Sequence, residues 1–78
     1  MKIVKLYKED CIPCKMLDDR LEEAGIAFEP VEVTVDNMEQ YGVKSVPVLL
    51  FLDDNGNEID RLLGLVSIGQ VKRRLDDS

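Results

Sequence analysis

The segment "KIVKLY", Lys2 to Tyr7, constrains the fold of this chain more than any other. It is rich in β-branched and aromatic residues and apolar on more than one face, so it reads as a central strand covered from both sides. From Cys11 onward the period changes. Cys14, Leu17, Leu21 and Ala24 fall three, four and three residues apart, which predicts one face of a helix stopping at Gly25. Asp10 is its expected N-cap, and Pro13 is tolerated in the first turn, where its missing N–H has no intrahelical partner.

"AFEPVEVT", Ala27 to Thr34, alternates Phe28, Val31, Val33 and then Val35 with polar neighbours, and reads as a second strand that Pro30 places at an edge. The first strand, the helix and this strand make a right-handed βαβ unit with parallel strands. Asp36 to Gly42 reads as a short helix closed by glycine. "PVLLFL" from Pro47 and "EIDRLLG" from Glu58 flank Asn55-Gly56, the strong signal for a hairpin, so these two strands are expected to be antiparallel. Ser67 with Gln70 forms a capping box ahead of a final helix whose buried stripe is Ile68, Val71 and Leu75. The expected architecture is α/β: one domain over residues 1–78, β-α-β-(α)-β-β-α, with a four-stranded mixed sheet flanked by helices.

A chain of 78 residues is one small domain, with about 60% of its surface buried on folding. Its formal charge of −6 disfavours nucleic acid as a partner, and the basic run Lys72-Arg73-Arg74 suits the negative end of a helix dipole. The longest apolar run, Val46 to Leu52, is far short of the roughly 20 residues that span a bilayer. No export signal is found at the N-terminus, so the expected compartment is the cytoplasm, where thiols stay reduced.

The two cysteines, Cys11 and Cys14, stand in "CIPC". At a helix start, positions three apart put Cα atoms near the roughly 4.4 to 6.8 Å that a disulfide tolerates. As a staple the bridge would be poor, giving about 2 kcal/mol for so small a ring. A zinc site needs four ligands, and the chain has no histidine and no third cysteine. A soft-metal carrier, for Cu(I) or zinc, is the stronger competitor, but such chains end on a strand in the order β-α-β-β-α-β, whereas this one ends on a capped helix. The remaining reading is redox catalysis. Cys11 at the helix N-terminus faces the positive end of the dipole, a setting that takes thiol pKa values down to roughly 3.5 to 7.5, and is the expected nucleophile. Cys14, one turn inside and less exposed, is the expected resolving thiol.

Three segments, in order, resemble the thioredoxin family, shortened at the N-terminus toward glutaredoxin size. "CIPCKML" is similar to an active-site CxPC followed by lysine and methionine; "YGVKSVPVLLFLDDNG" resembles the segment carrying the cis-proline; "GLVSIGQVKRRLDD" resembles the closing glycine, capping serine and last helix. The resemblance implies the thioredoxin fold, protein disulfides as substrates, and an attacking Cys11 with a resolving Cys14 that close into a redox-active disulfide. It implies a cis bond between Val46 and Pro47, and a groove in which a substrate segment pairs with the Ser45-Val46 backbone as an added strand. Ile12, Pro13, Val46, Pro47 and Gly64 are its expected substrate-binding residues, with Leu65 either lining or core.

The chain departs from the family at several places. Asp10 replaces the usual tryptophan, Ile12 the usual glycine, and Lys5 stands near where thioredoxins often bury a carboxylate that assists the resolving thiol. "LLGLVS" lacks the paired glycines and acid with which glutaredoxins bind glutathione, although Lys8, Lys15 and Lys44 leave a glutathione-linked glutaredoxin-type reductase as the alternative. The expected electron donor is an NADPH-dependent thioredoxin reductase. No nucleotide-binding fingerprint is present, so neither bound cofactor nor metal is expected. The expected state is a monomer.

Overall fold

A computed structural model describes residues 1–76 of the chain. The elements run β1 (Lys2–Tyr7), α1 (Ile12–Glu23), β2 (Glu29–Glu32), α2 (Val35–Tyr41), β3 (Val48–Leu52), β4 (Glu58–Leu63) and α3 (Ile68–Asp76). The sheet order is β2-β1-β3-β4, with β1 parallel to β2 and the other two pairings antiparallel. The apolar β1 is therefore an inner strand, and Pro30 lies on the edge strand β2, where a missing ladder donor does no harm.

Side-chain alternation along the inner strands divides the core into two layers. Ile3, Leu49 and Phe51 point to one face and pack with Leu17 and Leu21 of α1 and Val71 of α3. Val4, Leu6, Val48 and Leu50 point to the other and pack with Val33 and Val43, with Met38 and Tyr41 of α2 at the margin. Leu6, Leu17, Leu21, Leu49 and Phe51 are fully buried. Each contributes about 1.5 to 3 kcal/mol of transfer free energy, so α1 is held mainly by its leucines.

One boundary differs from expectation. The alternation of Val31, Val33 and Val35 suggested strand through Thr34, yet β2 stops at Glu32 and Val35 opens α2, 89% exposed. Thr34 is the N-cap: its hydroxyl accepts from the Asn37 N–H, and the Asn37 side-chain oxygen accepts from the Thr34 N–H at 2.6 Å. These local bonds replace the ladder bonds of a longer strand. The hairpin turns at Asn55-Gly56, with Asp53 Oδ1 accepting from the N–H groups of Asn55 and Asn57. Ser67 and Gln70 form the expected reciprocal cap of α3, and Ile68 and Leu75 join Val71 against the core.

Candidate active site

Leu6 pairs with Val48, and Val48 with Leu63, so the exit of β1, the entry of β3 and the exit of β4 share one end of the sheet. The segments bearing Cys11, Pro47 and Gly64 all start from that end. Asp10 does not cap α1. It stands before the helix in the left-handed region (φ 58°), a conformation aspartate tolerates better than most residues. Cys11 is the N-cap instead: its backbone is extended (φ −97°, ψ 101°) and its sulfur accepts the Cys14 N–H at 3.2 Å. The sulfur thus occupies a donor that a capping oxygen would otherwise take, and this moves the cap one residue along.

A disulfide joins Cys11 and Cys14, whose Cα atoms are 5.2 Å apart. The two sulfur-bearing residues differ in environment. Cys11 is half-buried, while Cys14 is 2% exposed and lies on the buried face of α1 with Leu17 and Leu21. Beside them Ile12 is 71% exposed and Pro13 is exposed, an apolar surface at the helix tip.

The Val46–Pro47 peptide is cis. Pro47 is fully buried, and half-buried Val46 leans on the α2-side core. Gly64 is tied to Pro47 by its N–H, which donates to the Pro47 carbonyl at 2.9 Å. Its φ of +82° requires glycine, whereas a Cβ there would meet nothing within 4 Å. Leu65 is half-buried and packs against the α1 and α3 layer, which makes it the margin of the core.

Beneath the cysteines lies a charge pair of which the sequence shows only half. Lys5, on β1, is 2% exposed, and its ammonium donates to the carboxylate of Asp18 on α1. The rings of Tyr7 and Phe28 flank the ammonium at 5.1 and 5.3 Å. Burial pulls the Lys5 pKa below the ordinary lysine value, with the charge of Glu22 acting in the opposite direction. Lys5, Cys14 and Asp18 line one cavity of about 330 Å³ that reaches the surface among Lys8, Asp10 and Lys15. The available signal was Asp18 itself, one turn after Cys14 and between Leu17 and Leu21 on the buried side of the helix. Among the described residues, no group of three or more Cys, Asp or Glu could hold a metal ion, and no helix is long and apolar enough to cross a membrane.

Residues 2–78 match the model of a thioredoxin-like domain. The chain belongs to the thioredoxin-like family. It is 41% identical over 66 residues to the SPbeta prophage-derived thioredoxin-like protein YosR of Bacillus subtilis, covering 82% of each chain. It is 39% identical over 70 residues to a thioredoxin of Chlamydia caviae, covering 81% of this chain and 68% of that one. Among solved structures, thioredoxin 1 of Thermosipho africanus superimposes with a TM-score of 0.70 at 27% identity, over 97% of this chain and 96% of that one. A Malassezia sympodialis thioredoxin reaches a TM-score of 0.77 at 20% identity, over 96% of this chain and 71% of that one, a likeness of fold alone. With the family and the Cys11–Cys14 pair together, this thioredoxin-like protein is a thiol-disulfide oxidoreductase whose substrates are disulfides and whose reduced state is restored by a reducing partner.

Proposed function

We propose that the protein reduces disulfides in other proteins, with Cys11 as the attacking sulfur and Cys14 as the resolving one. The observation that carries this reading is the asymmetry of the pair: Cys11 caps the helix and reaches the surface, while Cys14 is 2% exposed behind it. In the reduced protein, a Cys11 thiolate at the N-terminus of the 12-residue α1 is stabilised by the helix dipole and by the Cys14 N–H aimed at its sulfur. It attacks one sulfur of the substrate disulfide, expels the other as a thiolate that takes a proton from water, and leaves a mixed disulfide. Cys14 then loses its proton and attacks the Cys11 sulfur. The Cys11–substrate bond breaks with its electron pair on the substrate sulfur, giving a reduced substrate and the Cys11–Cys14 disulfide seen here. Two electrons pass from the cysteine pair to the substrate.

Ile12 and Pro13 offer the apolar contact beside the nucleophile, and the Ser45-Val46 backbone offers hydrogen bonds for a substrate strand. Gly64, held in place by its bond to Pro47, leaves the opposite wall of that groove low. The proposed electron donor is an NADPH-dependent thioredoxin reductase, the proposed state a monomer, and the proposed compartment the cytoplasm. The test is insulin reduction followed by turbidity. Wild type is expected to accelerate it and Cys11→Ser to abolish the acceleration, while Cys14→Ser accumulates a mixed disulfide. Equal rates for wild type and Cys11→Ser would refute the assignment. Recharging the oxidised protein with a reductase plus NADPH, or with glutathione alone, separates the thioredoxin-type from the glutaredoxin-type reading.

A further inference from the structure

Among the described residues, Lys5 is the one charged side chain buried in the core. Its pairing with Asp18 is a weak reason to keep it, since apolar replacements of similar volume for a buried ion pair are often neutral or stabilising. Its position gives a better one. Lys5 reaches from β1 under the start of α1, Asp18 follows Cys14 by one helical turn, and all three side chains line the same cavity. Side chains four apart on a helix have Cβ atoms about 5 to 6 Å apart, a distance one water can bridge.

The resolving step poses a problem at this place. Cys14 is 2% exposed, and removal from water disfavours its thiolate, so bulk solvent is a poor acceptor for its proton. We propose that Lys5 and Asp18 form the proton-handling pair of that step: the Asp18 carboxylate takes the Cys14 proton, and the Lys5 ammonium turns from the carboxylate to the thiolate that forms. This rests on the assignment of Cys14 as the resolving cysteine. Before transfer the cluster holds an ammonium, a carboxylate and a neutral thiol; afterwards it holds an ammonium, a neutral acid and a thiolate. Its net charge does not change, so the core never holds an added uncompensated charge. The thiolate attacks the Cys11 sulfur, the Cys11–substrate bond breaks, and the departing thiolate takes a proton from water. The Asp18 side chain, 35% exposed, returns its proton to solvent at the cavity mouth. Asp18, which takes the proton, and Lys5, which meets the thiolate, are then both catalytic residues.

The experiment separates the two halves of the exchange. Fully reduced protein is mixed with one equivalent of dithiobis(nitrobenzoate), and release of the coloured thiol is followed by stopped flow. The first phase reports attack by Cys11 and the second reports resolution by Cys14. In Asp18→Asn the first phase is expected to stay within about twofold of wild type, and the second to slow by about 100-fold near neutral pH, the lower range for general acid–base catalysis. The slowed phase should recover about tenfold per pH unit as hydroxide takes over, and Asp18→Glu should restore most of the rate. Lys5→Met should also slow the second phase alone. The other titratable groups around the cavity are Tyr7, Lys8, Glu9 and Asp10 from β1 and its loop, and Lys15 and Glu22 from α1, and none is altered in these variants. A Lys5→Met/Asp18→Leu double variant, in which no unpaired charge is left buried, covers the case in which a single variant misfolds. Second phases at the wild-type rate in the folded variants would overturn the proposal. A wild type showing no second phase at all would overturn the oxidoreductase reading on which it rests.

Discussion

Replacing the Lys5–Asp18 pair by methionine and leucine is expected to make the protein more stable while slowing its chemistry. The Lys5 side chain is 2% exposed, and desolvation of a buried ion costs several kcal/mol even after relaxation. Two effects offset that cost. The Asp18 side chain is 35% exposed, so solvent screens the ion pair and limits it to about 1 kcal/mol. The Tyr7 and Phe28 rings lie 5.1 and 5.3 Å from the ammonium, worth about 0.5 to 1 kcal/mol each. A methionine at position 5 keeps contact with both rings, and a leucine at position 18 adds about 1 kcal/mol by burying part of its side chain. The net expectation is stabilisation by about 1 to 3 kcal/mol, or a Tm higher by roughly 5 to 20 °C for a domain of this size. Thermal and urea unfolding of wild type and double variant, both oxidised, at neutral pH give the number. The pH dependence checks the cause. Because burial lowers the folded-state pKa of Lys5, the wild type gains stability as pH rises from that folded value to the ordinary lysine value, and loses it again as pH falls. The gap between the double variant and wild type should therefore narrow in alkaline solution. A double variant less stable than wild type by more than about 1 kcal/mol, or a gap constant with pH, would show that burying the Lys5 charge carries no net cost.

Two smaller predictions concern the frame of the site. Gly64→Ala should cost about 1 to 2 kcal/mol in urea unfolding although no atom stands in the way, because an L-residue at φ +82° is strained; a change under about 0.3 kcal/mol would show that the backbone relaxes freely there. Ser67→Ala removes the hydroxyl that accepts the Gln70 N–H and should cost about 1 kcal/mol, read from the urea midpoint, with Ser67→Asp restoring most of it.

What could be read from the chain alone follows from the range of the forces involved. β1, α1, the hairpin and α3 were legible because each is set by local pattern: an apolar strand, a run of helical spacings, Asn55-Gly56, and Ser67 with Gln70. Thr34 is not legible as a cap because the valine alternation runs through it, and the reciprocal bonds with Asn37 decide the boundary. Asp10 suggests itself as the cap of α1 because oxygen is the usual capping acceptor, whereas a cysteine sulfur fills that place. Lys5 is singled out by family resemblance alone, at the place where thioredoxins often bury a carboxylate; its partner is 13 residues away on another element, and only the packing of α1 on the sheet brings Asp18 to it. The cis bond before Pro47 came from family resemblance, since no local pattern distinguishes it from a trans proline at a strand start.

Cys11 and Cys14 divide the labour of exchange between them in this mechanism, and alkylation separates the two roles. Reduced protein is treated briefly with iodoacetamide at neutral pH, and the modified position is mapped by mass spectrometry. Cys11 is expected to be modified first, with Cys14 protected until the chain is unfolded. Modification of both at one rate, or of Cys14 ahead of Cys11, would contradict it.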